Sequence, residues 1–308
     1  MDAMTTPPPT PPRRPGATTP ERTILFDFDG TVSLGHGPVL AYARAAAASI
    51  GPRASKAFLT AVNIGLQHAP SGRLPGTDAI DGYDLVRLMS AQYGIEPSAL
   101  GDAYLASRAL LATAESPIVA PTGLAEFLAS AREHASIVLA TNAPDIRVAE
   151  AIDALGLSGM FDAVYTSVGK PVGLDRVLDE WLPAADPSGD DRPGHDLPGN
   201  DRPGDDRTGA SLLSVGDVWV NDLAPAAARG ARTALVGPPD PAATPTYRAE
   251  HLHELYPAIA AWLESPIDSA ATDGAAPDSA ATDGPAEHFP IRTTSAPAST
   301  TKGSTRAL

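Results

Sequence analysis

The sequence contains no cysteine, which excludes disulfide bonds, thiolate metal sites and cysteine nucleophiles. It also lacks any apolar run approaching the ~20 residues of a membrane-spanning helix. Basic residues are outnumbered: 22 Lys and Arg stand against 37 Asp and Glu, and the formal net charge is -15. A general nucleic-acid-binding protein needs a basic face. We therefore expect a cytoplasmic protein that binds neither nucleic acid nor membrane.

Three segments have a composition that cannot bury an apolar face. Residues 1–21 are rich in Pro and Thr and lack the apolar segment of a secretory signal. Residues 184–210 contain four five-residue units of the Asp-Asp-Arg-Pro-Gly type, and residues 265–308 repeat Asp-Ser-Ala-Ala-Thr-Asp-Gly. We predict disordered tails at both ends and a low-complexity surface loop at 184–210. Calcium binding by the loop is disfavoured because its prolines and acids form no fixed ligand frame.

A short apolar segment at residues 23–26 runs directly into Asp27 and Asp29, and Gly30 follows. This pattern predicts a buried strand, from which the two carboxylates leave on the same side. Gly30 allows a sharp turn of the backbone there. Two adjacent carboxylates repel each other unless a cation lies between them, and a metal ion is the clearest candidate. An EF-hand does not fit, because the twelfth position is Pro38 instead of Glu.

The next segment, residues 34–116, contains helical patterns and no second convincing buried strand. Glycine- and proline-rich stretches separate these patterns. The segment therefore predicts a compact all-helical unit inserted directly after the acidic strand end. The four predicted helices cover residues 38–50, 55–67, 81–93 and 97–114.

From residue 117 onward, apolar strands alternate with amphipathic helices, including helices opened by Pro121 and Pro144 and one capped by Asn221 and Asp222. This alternation predicts an α/β fold with a doubly wound, parallel, Rossmann-like sheet. Its core would consist of residues 22–33 and 117–264. The further strands are predicted at 136–140, 163–165, 212–216 and 232–236, and a last helix at 258–264.

Polar residues follow the predicted strands at their carboxyl ends, where doubly wound sheets bind their ligands. Taken singly, Thr141 is an ordinary helix cap, Lys170 a surface lysine and Asp222 another helix cap. Their convergence on one edge carries more weight than any one of them. The residues concerned are Asp27, Asp29, Thr141, Asn142, Lys170, Asp217 and Asp222.

This set of side chains suits phosphoryl chemistry. Several carboxylates around one point favour Mg²⁺, which takes oxygen ligands. A lysine beside them balances the acids and binds an anion, and the anion that uses both is most often a phosphoryl group. One carboxylate can act as the nucleophile, and a second can protonate the leaving oxygen and then activate water.

The chain resembles the haloacid-dehalogenase-like (HAD) phosphohydrolase superfamily, because all four of that family's motifs occur in the expected order. The resemblance covers about 23–183 and 211–264 and is interrupted by the loop at 184–210. The matching segments are Asp-Phe-Asp-Gly-Thr at 27–31, Thr-Asn at 141–142, Lys-Pro at 170–171, and Gly-Asp at 216–217 with Asp222.

The resemblance implies a role for each catalytic motif residue. Asp27 would be the nucleophile and Asp29 the general acid and base. Thr141 and the backbone of Asn142 would hold the phosphoryl oxygens, and Lys170 would stabilise the phosphoryl group.

The resemblance also implies a metal site and a cap. Asp27, the backbone carbonyl of Asp29 and Asp217 would bind Mg²⁺, and Asp222 would support that site. The helical insertion at 34–116 would be a C1-type cap that closes over the site and selects the substrate.

Four polar residues of the insertion are candidates for substrate contacts: His36, His68, Arg73 and Arg87. Each also reads as an ordinary surface residue. His36 is preferred because it closely follows the first motif, between two glycines.

The expected function is that of a Mg²⁺-dependent phosphatase acting on a small phosphorylated metabolite. A phosphomutase remains an alternative. Dehalogenation does not need Asp29, and C–P cleavage needs a cap lysine, for which Lys56 is the single candidate in 34–116. A non-catalytic binding module with the same fold is the alternative from outside the enzymes.

Overall fold

A computed structural model describes residues 22–68, 79–182 and 211–266. The predicted tail at 1–21 and loop at 184–210 lie outside these residues. So does the predicted tail at 265–308, apart from its first two residues. These three assignments therefore stay predictions.

The centre of the fold is a sheet of six parallel strands in the order β3-β2-β1-β4-β5-β6. This is the strand order of a doubly wound Rossmann-like sheet. It confirms the predicted fold class. The strands are β1 Arg22–Phe26, β2 Ala135–Ala140, β3 Ala163–Tyr165, β4 Leu212–Gly216, β5 Arg232–Val236 and β6 Tyr247–Ala249.

The first strand lies at the point where the strand order reverses. Phe26 at the end of β1 is in register with Leu139 of β2 and with Val215 of β4. The residues that follow these three strands consequently leave the sheet side by side. Ligands of open α/β sheets bind at this kind of crevice.

Helices cover the sheet and form the insertion. In the described part of the chain, no helix is both long enough and apolar enough to cross a bilayer. Between β1 and β2 lie α1 Gly37–Ala47, α2 Pro52–His68, α3 Gly82–Gln92 and α4 Pro97–Arg108. The remaining helices are α5 Leu124–Ala131, α6 Val148–Ala154, α7 Leu174–Trp181, α8 Ala224–Ala227 and α9 Tyr256–Glu264.

The insertion has an apolar core of its own. Phe58 and Val62 of α2 pack with Leu85 and Val86 of α3, and all four are fully buried or nearly so. The apolar residues on the two faces of the sheet form separate clusters. The all-helical character predicted for this segment is confirmed over its described residues.

The two points at which the chain enters and leaves the insertion are paired with each other. The N–H of Leu34 donates to the carbonyl of Val119 at 2.8 Å, and the N–H of Val119 donates to the carbonyl of Leu34 at 3.0 Å. The insertion therefore begins and ends at one place beside the carboxyl end of β1.

Several predicted element boundaries were wrong. Pro121 and Pro144 do not open helices, because Gly123 and Arg147 adopt left-handed φ values of 71° and 57° and the helices begin after them. Asp222 does not cap a helix but lies within a π-helical turn, Trp219–Leu223, that precedes α8. Strand β6 was not predicted.

Candidate active site

Three carboxylates meet where β1 and β4 end. Asp27 directly follows β1, and Asp217 directly follows β4. Asp222 reaches the same point from the π-helical turn. One carboxylate oxygen of each lies within 4.8 Å of the others. An all-oxygen donor set of this kind fits Mg²⁺, which favours carboxylates and keeps some of its water ligands.

Lys170 completes this cluster with a positive charge. Its Nζ donates to Oδ1 of Asp27 at 2.5 Å and to Oδ1 of Asp222 at 2.6 Å. The Lys170 side chain is only 4% exposed. Burial opposes its charge, but the two carboxylates outweigh that effect and raise the pKa of Lys170. The amine is therefore an ammonium group at any physiological pH.

Burial and the ion pair with Lys170 shift the pKa of Asp222 in opposite directions. Removal from water and the nearby charge of Asp27 raise the pKa of Asp222 to about 6, while Lys170 lowers it. The second carboxylate oxygen accepts a hydrogen bond from the N–H of Val218 at 2.9 Å. Asp222 is thus held from two sides.

Asn142 fixes the loop that carries Lys170. Its Oδ1 accepts from the N–H of Lys170 at 2.6 Å, and its Nδ2 donates to the carbonyl of Lys170 at 3.4 Å. Thr141 is buried, and its hydroxyl accepts from the N–H of Ala143 at 3.0 Å. These two residues therefore shape the turn after β2 and the loop after β3. Their contact with phosphoryl oxygens stays a prediction.

Two glycines let these segments approach each other closely. Gly30 has a φ of +93°, and a Cβ added there would lie 2.4 Å from Oδ2 of Asp217. A Cβ on Gly216 would lie 2.4 Å from the Cβ of Asp222. Such contacts are sterically prohibited, so both positions need glycine for the carboxylates to converge.

Asp29 has a different partner from the other aspartates. Its two oxygens accept from Nη1 of Arg108 at 3.2 and 3.1 Å. Arg108 ends α4, so this ion pair links the core to the insertion. Burial raises the pKa of Asp29, and the charge of Arg108 opposes that shift. A carboxyl group with a raised pKa is suited to donating a proton.

Sequence reasoning missed Arg108. An arginine in a helix normally extends into solvent, but this side chain is 1% exposed. The available signal was its apolar setting, since Ala-Ser-Arg-Ala-Leu-Leu at 106–111 surrounds it. Residues adjacent in sequence do not share a helix face, so this signal alone does not place Arg108 on the buried side.

A cavity of about 600 Å³ opens beside Asp29 and Asp217. Residues of the insertion and of the core both line it, and its lining combines apolar side chains with acids and histidines. His36 lies in this lining, and its contact with substrate stays a prediction. Tyr83 of α3 also lines the cavity.

Two of the other candidates from the insertion, His68 and Arg87, do not line this cavity. His68 is exposed at the end of α2, where its ring Nδ1 lies 2.8 Å from the carbonyl of Ile64. Arg87 is 54% exposed and pairs with Asp84 on its own helix. Arg73 lies outside the described residues.

Comparisons with known proteins show similarity of fold. No family model matches the sequence, and no curated protein matches it. A candidate phosphatase from Clostridium difficile has 17% identity and a TM-score of 0.50, with 79% of this chain and 100% of that chain covered.

Two further structures match with TM-scores below 0.5. YfnB of Bacillus subtilis, a candidate HAD hydrolase bound to magnesium, has 17% identity and a TM-score of 0.47 over 79% of this chain and 100% of its own. A HAD phosphatase from Thermococcus onnurineus has 15% identity and a TM-score of 0.43 over 77% and 97% of the two chains. The similarity to the Clostridium difficile structure shows a shared fold.

Proposed function

We propose that this protein is a Mg²⁺-dependent phosphatase that hydrolyses a small phosphate monoester through an aspartyl-phosphate on Asp27. The observation that carries the proposal is the contact of Lys170 with Asp27 and Asp222. These residues lie far apart in the sequence and meet, with Asp217, beside a cavity.

The reaction takes two steps at Asp27. A carboxylate oxygen of Asp27 attacks phosphorus, the bond to the leaving oxygen breaks, and Asp29 gives its proton to that oxygen. Asp29 then takes a proton from water, and the water oxygen attacks phosphorus and releases Asp27. The net result is an alcohol, inorganic phosphate and the regenerated carboxylate.

Lys170 orients and charges the site for this chemistry. Its ammonium group holds Asp27 in place and lies where the phosphoryl oxygens gather negative charge. Asp27, Asp217 and the backbone carbonyl of Asp29 would hold Mg²⁺, with Asp222 in support. The bound ion would supply electrostatic stabilisation of the phosphoryl group.

The cavity is proposed to take the leaving group. Its volume of about 600 Å³ accommodates a small metabolite and excludes a folded macromolecule. The helical insertion acts as a C1-type cap that covers this space, and His36 is its proposed contact with substrate. The enzyme is proposed to act in the cytoplasm.

The test is hydrolysis of 4-nitrophenyl phosphate. We expect turnover with Mg²⁺, loss of turnover in EDTA, and recovery when Mg²⁺ is restored. Asp27→Asn should lower kcat by roughly 10³-fold or more because the nucleophile is lost. Acid-quenched wild-type protein should carry a phosphoryl group on the peptide that contains Asp27.

Arg229→Ala is the matched control, because the ion pairs of Arg229 with Asp175 and Asp179 on α7 are exposed. Its turnover should equal that of the wild type. Wild-type turnover retained in Asp27→Asn, or an active enzyme in EDTA, would overturn the proposal.

A further inference from the structure

The contact between Arg108 and Asp29 joins the insertion to the proposed acid-base residue. Nη1 of Arg108 donates to both oxygens of Asp29 and also to the hydroxyl of Tyr83, at 3.0 Å. Asp29 and Tyr83 both line the cavity, whereas Arg108 is almost fully buried beside them.

We propose that Arg108 is a positioning residue that holds the carboxyl group of Asp29 at the edge of the cavity. The orientation of the acid-base group would then be set by the helical insertion and not by β1 alone. This inference rests on the proposed phosphatase function.

The way in which Arg108 uses its donors argues against a purely structural role. A guanidinium group has five N–H donors, and a buried one kept for structure generally satisfies most of them. Among the described residues, Nε and Nη2 of Arg108 are buried without a hydrogen-bond partner. The bonds are concentrated on Nη1, which faces Asp29 and Tyr83.

Aromatic rings of the insertion pack around Tyr83, the second partner of Nη1. Tyr83 packs edge-on against Tyr104 with ring centroids 5.7 Å apart, and Tyr42 lies 5.8 Å from Tyr104. These rings come from α1, α3 and α4. They join three helices of the insertion around Tyr83, whose hydroxyl accepts from Nη1 of Arg108.

Such positioning matters because proton transfer depends on geometry. A carboxyl group must lie within hydrogen-bond reach of the leaving oxygen, and small displacements slow proton transfer strongly. Contact with both oxygens restricts rotation of the Asp29 carboxyl group. Loss of Arg108 should thus harm reactions that need the acid more than those that do not.

The experiment compares two substrates with leaving groups of different basicity. Nitrophenolate leaves with little help from an acid, whereas an alkoxide from a simple alkyl phosphate needs a proton. We expect Arg108→Met to lower kcat about 10-fold on 4-nitrophenyl phosphate and about 100-fold or more on an alkyl phosphate. Arg108→Lys should recover part of the loss, because it restores a buried cation.

A double-mutant cycle separates positioning from a structural effect. If Arg108 acts through Asp29, Arg108→Met should lower nitrophenyl phosphate turnover less than about threefold in an Asp29→Asn background. A structural role would give the same loss in both backgrounds. Tyr83→Phe, which removes one contact of Nη1, should show the same substrate dependence at smaller size.

Equal losses on both substrates, or additive losses in the cycle, would overturn the inference while wild-type activity upholds the proposed function. If Arg108→Met does not fold, Tyr83→Phe decides, and an unchanged substrate ratio in that variant would refute the positioning role. Wild-type protein inactive on both esters would instead refute the phosphatase proposal itself.

Discussion

Two buried cations, Lys170 and Arg108, form ion pairs in this site, and their pairs are built in different ways. Lys170 contacts two carboxylates, and every group in that cluster comes from the sheet core. Arg108 contacts one carboxylate, and this pair spans the core and the insertion. The Lys170 contacts are built from segments that follow β1, β3 and β4, whereas the Arg108 contact depends on where the insertion sits. The proposed catalytic cluster and the proposed positioning contact to Asp29 are thus built from different parts of the molecule.

The largest expected effect comes from removing the core cation. Lys170→Met leaves Asp27 and Asp222 buried together without a positive charge, which we expect to destabilise the metal-free protein by about 3–5 kcal/mol. Turnover of 4-nitrophenyl phosphate should fall by roughly 10³-fold. Urea denaturation in EDTA and kinetics with Mg²⁺ measure the two effects.

Added Mg²⁺ should affect the stability of Lys170→Met and Arg108→Met differently. The ion should restore much of the stability of Lys170→Met, because it supplies positive charge to the same carboxylates. It should do less for Arg108→Met, since the carboxylate of Asp29 is not part of the metal-binding group. Equal rescue of both variants would show that the two pairs are not independent.

A smaller effect is expected at Gly30, where the segment after β1 closely approaches the segment after β4. Gly30→Ala forces a Cβ against the carboxylate of Asp217 and strains a φ of +93°. We expect Mg²⁺ affinity to fall by about tenfold or more, which corresponds to at least about 1.4 kcal/mol. Titration calorimetry with Mg²⁺ alone measures this change.

The matched control is Gly101→Ala in α4. A Cβ there meets no atom within 4 Å, so helix stability should rise slightly and Mg²⁺ affinity should not change. Loss of Mg²⁺ binding in both variants would point to a general effect of substitution instead of a local clash.

The smallest effect concerns pH. The pKa of Asp222 is raised to about 6 in the folded protein, above its unfolded value of about 4. The folded state therefore binds this proton more tightly. The stabilisation is full below pH 4 and is lost as the pH rises through 6.

Comparison with Asp222→Asn isolates the contribution of Asp222 protonation to the free energy of unfolding. As the pH falls from 6 to 5 in EDTA, the wild type should gain about 1 kcal/mol of unfolding free energy relative to the variant. Urea denaturation at several pH values measures the difference. A parallel pH dependence in the two proteins would contradict the assignment.

The sequence was most informative about residues that directly follow the parallel strands. Apolar runs at 23–26 and 212–216 each end at an acid, and parallel strands place such ends on one edge. The meeting of Asp27, Asp217 and Asp222 could therefore be expected before the structure was known. Strand register brings Asp27 and Asp217 together, whereas Asp222 reaches them from the turn that follows β4.

Prediction failed where packing between separate elements decides the outcome. The burial of Arg108 depends on Tyr83 and Tyr104, and local periodicity does not reveal which helices face each other. The strand at 247–249 reads Tyr-Arg-Ala, which offers no apolar run, and it pairs on one side only as an edge strand. This strand forms by parallel pairing with the backbone of β5.

The pairing of Leu34 with Val119 has a consequence for how such a protein can diversify. Because both ends of the helical segment meet in one two-bond ladder, a segment of different size could occupy the same junction without changing the length of any strand. Substrate preference could then be exchanged as a unit, while the acids and the ammonium group of the sheet edge keep their places.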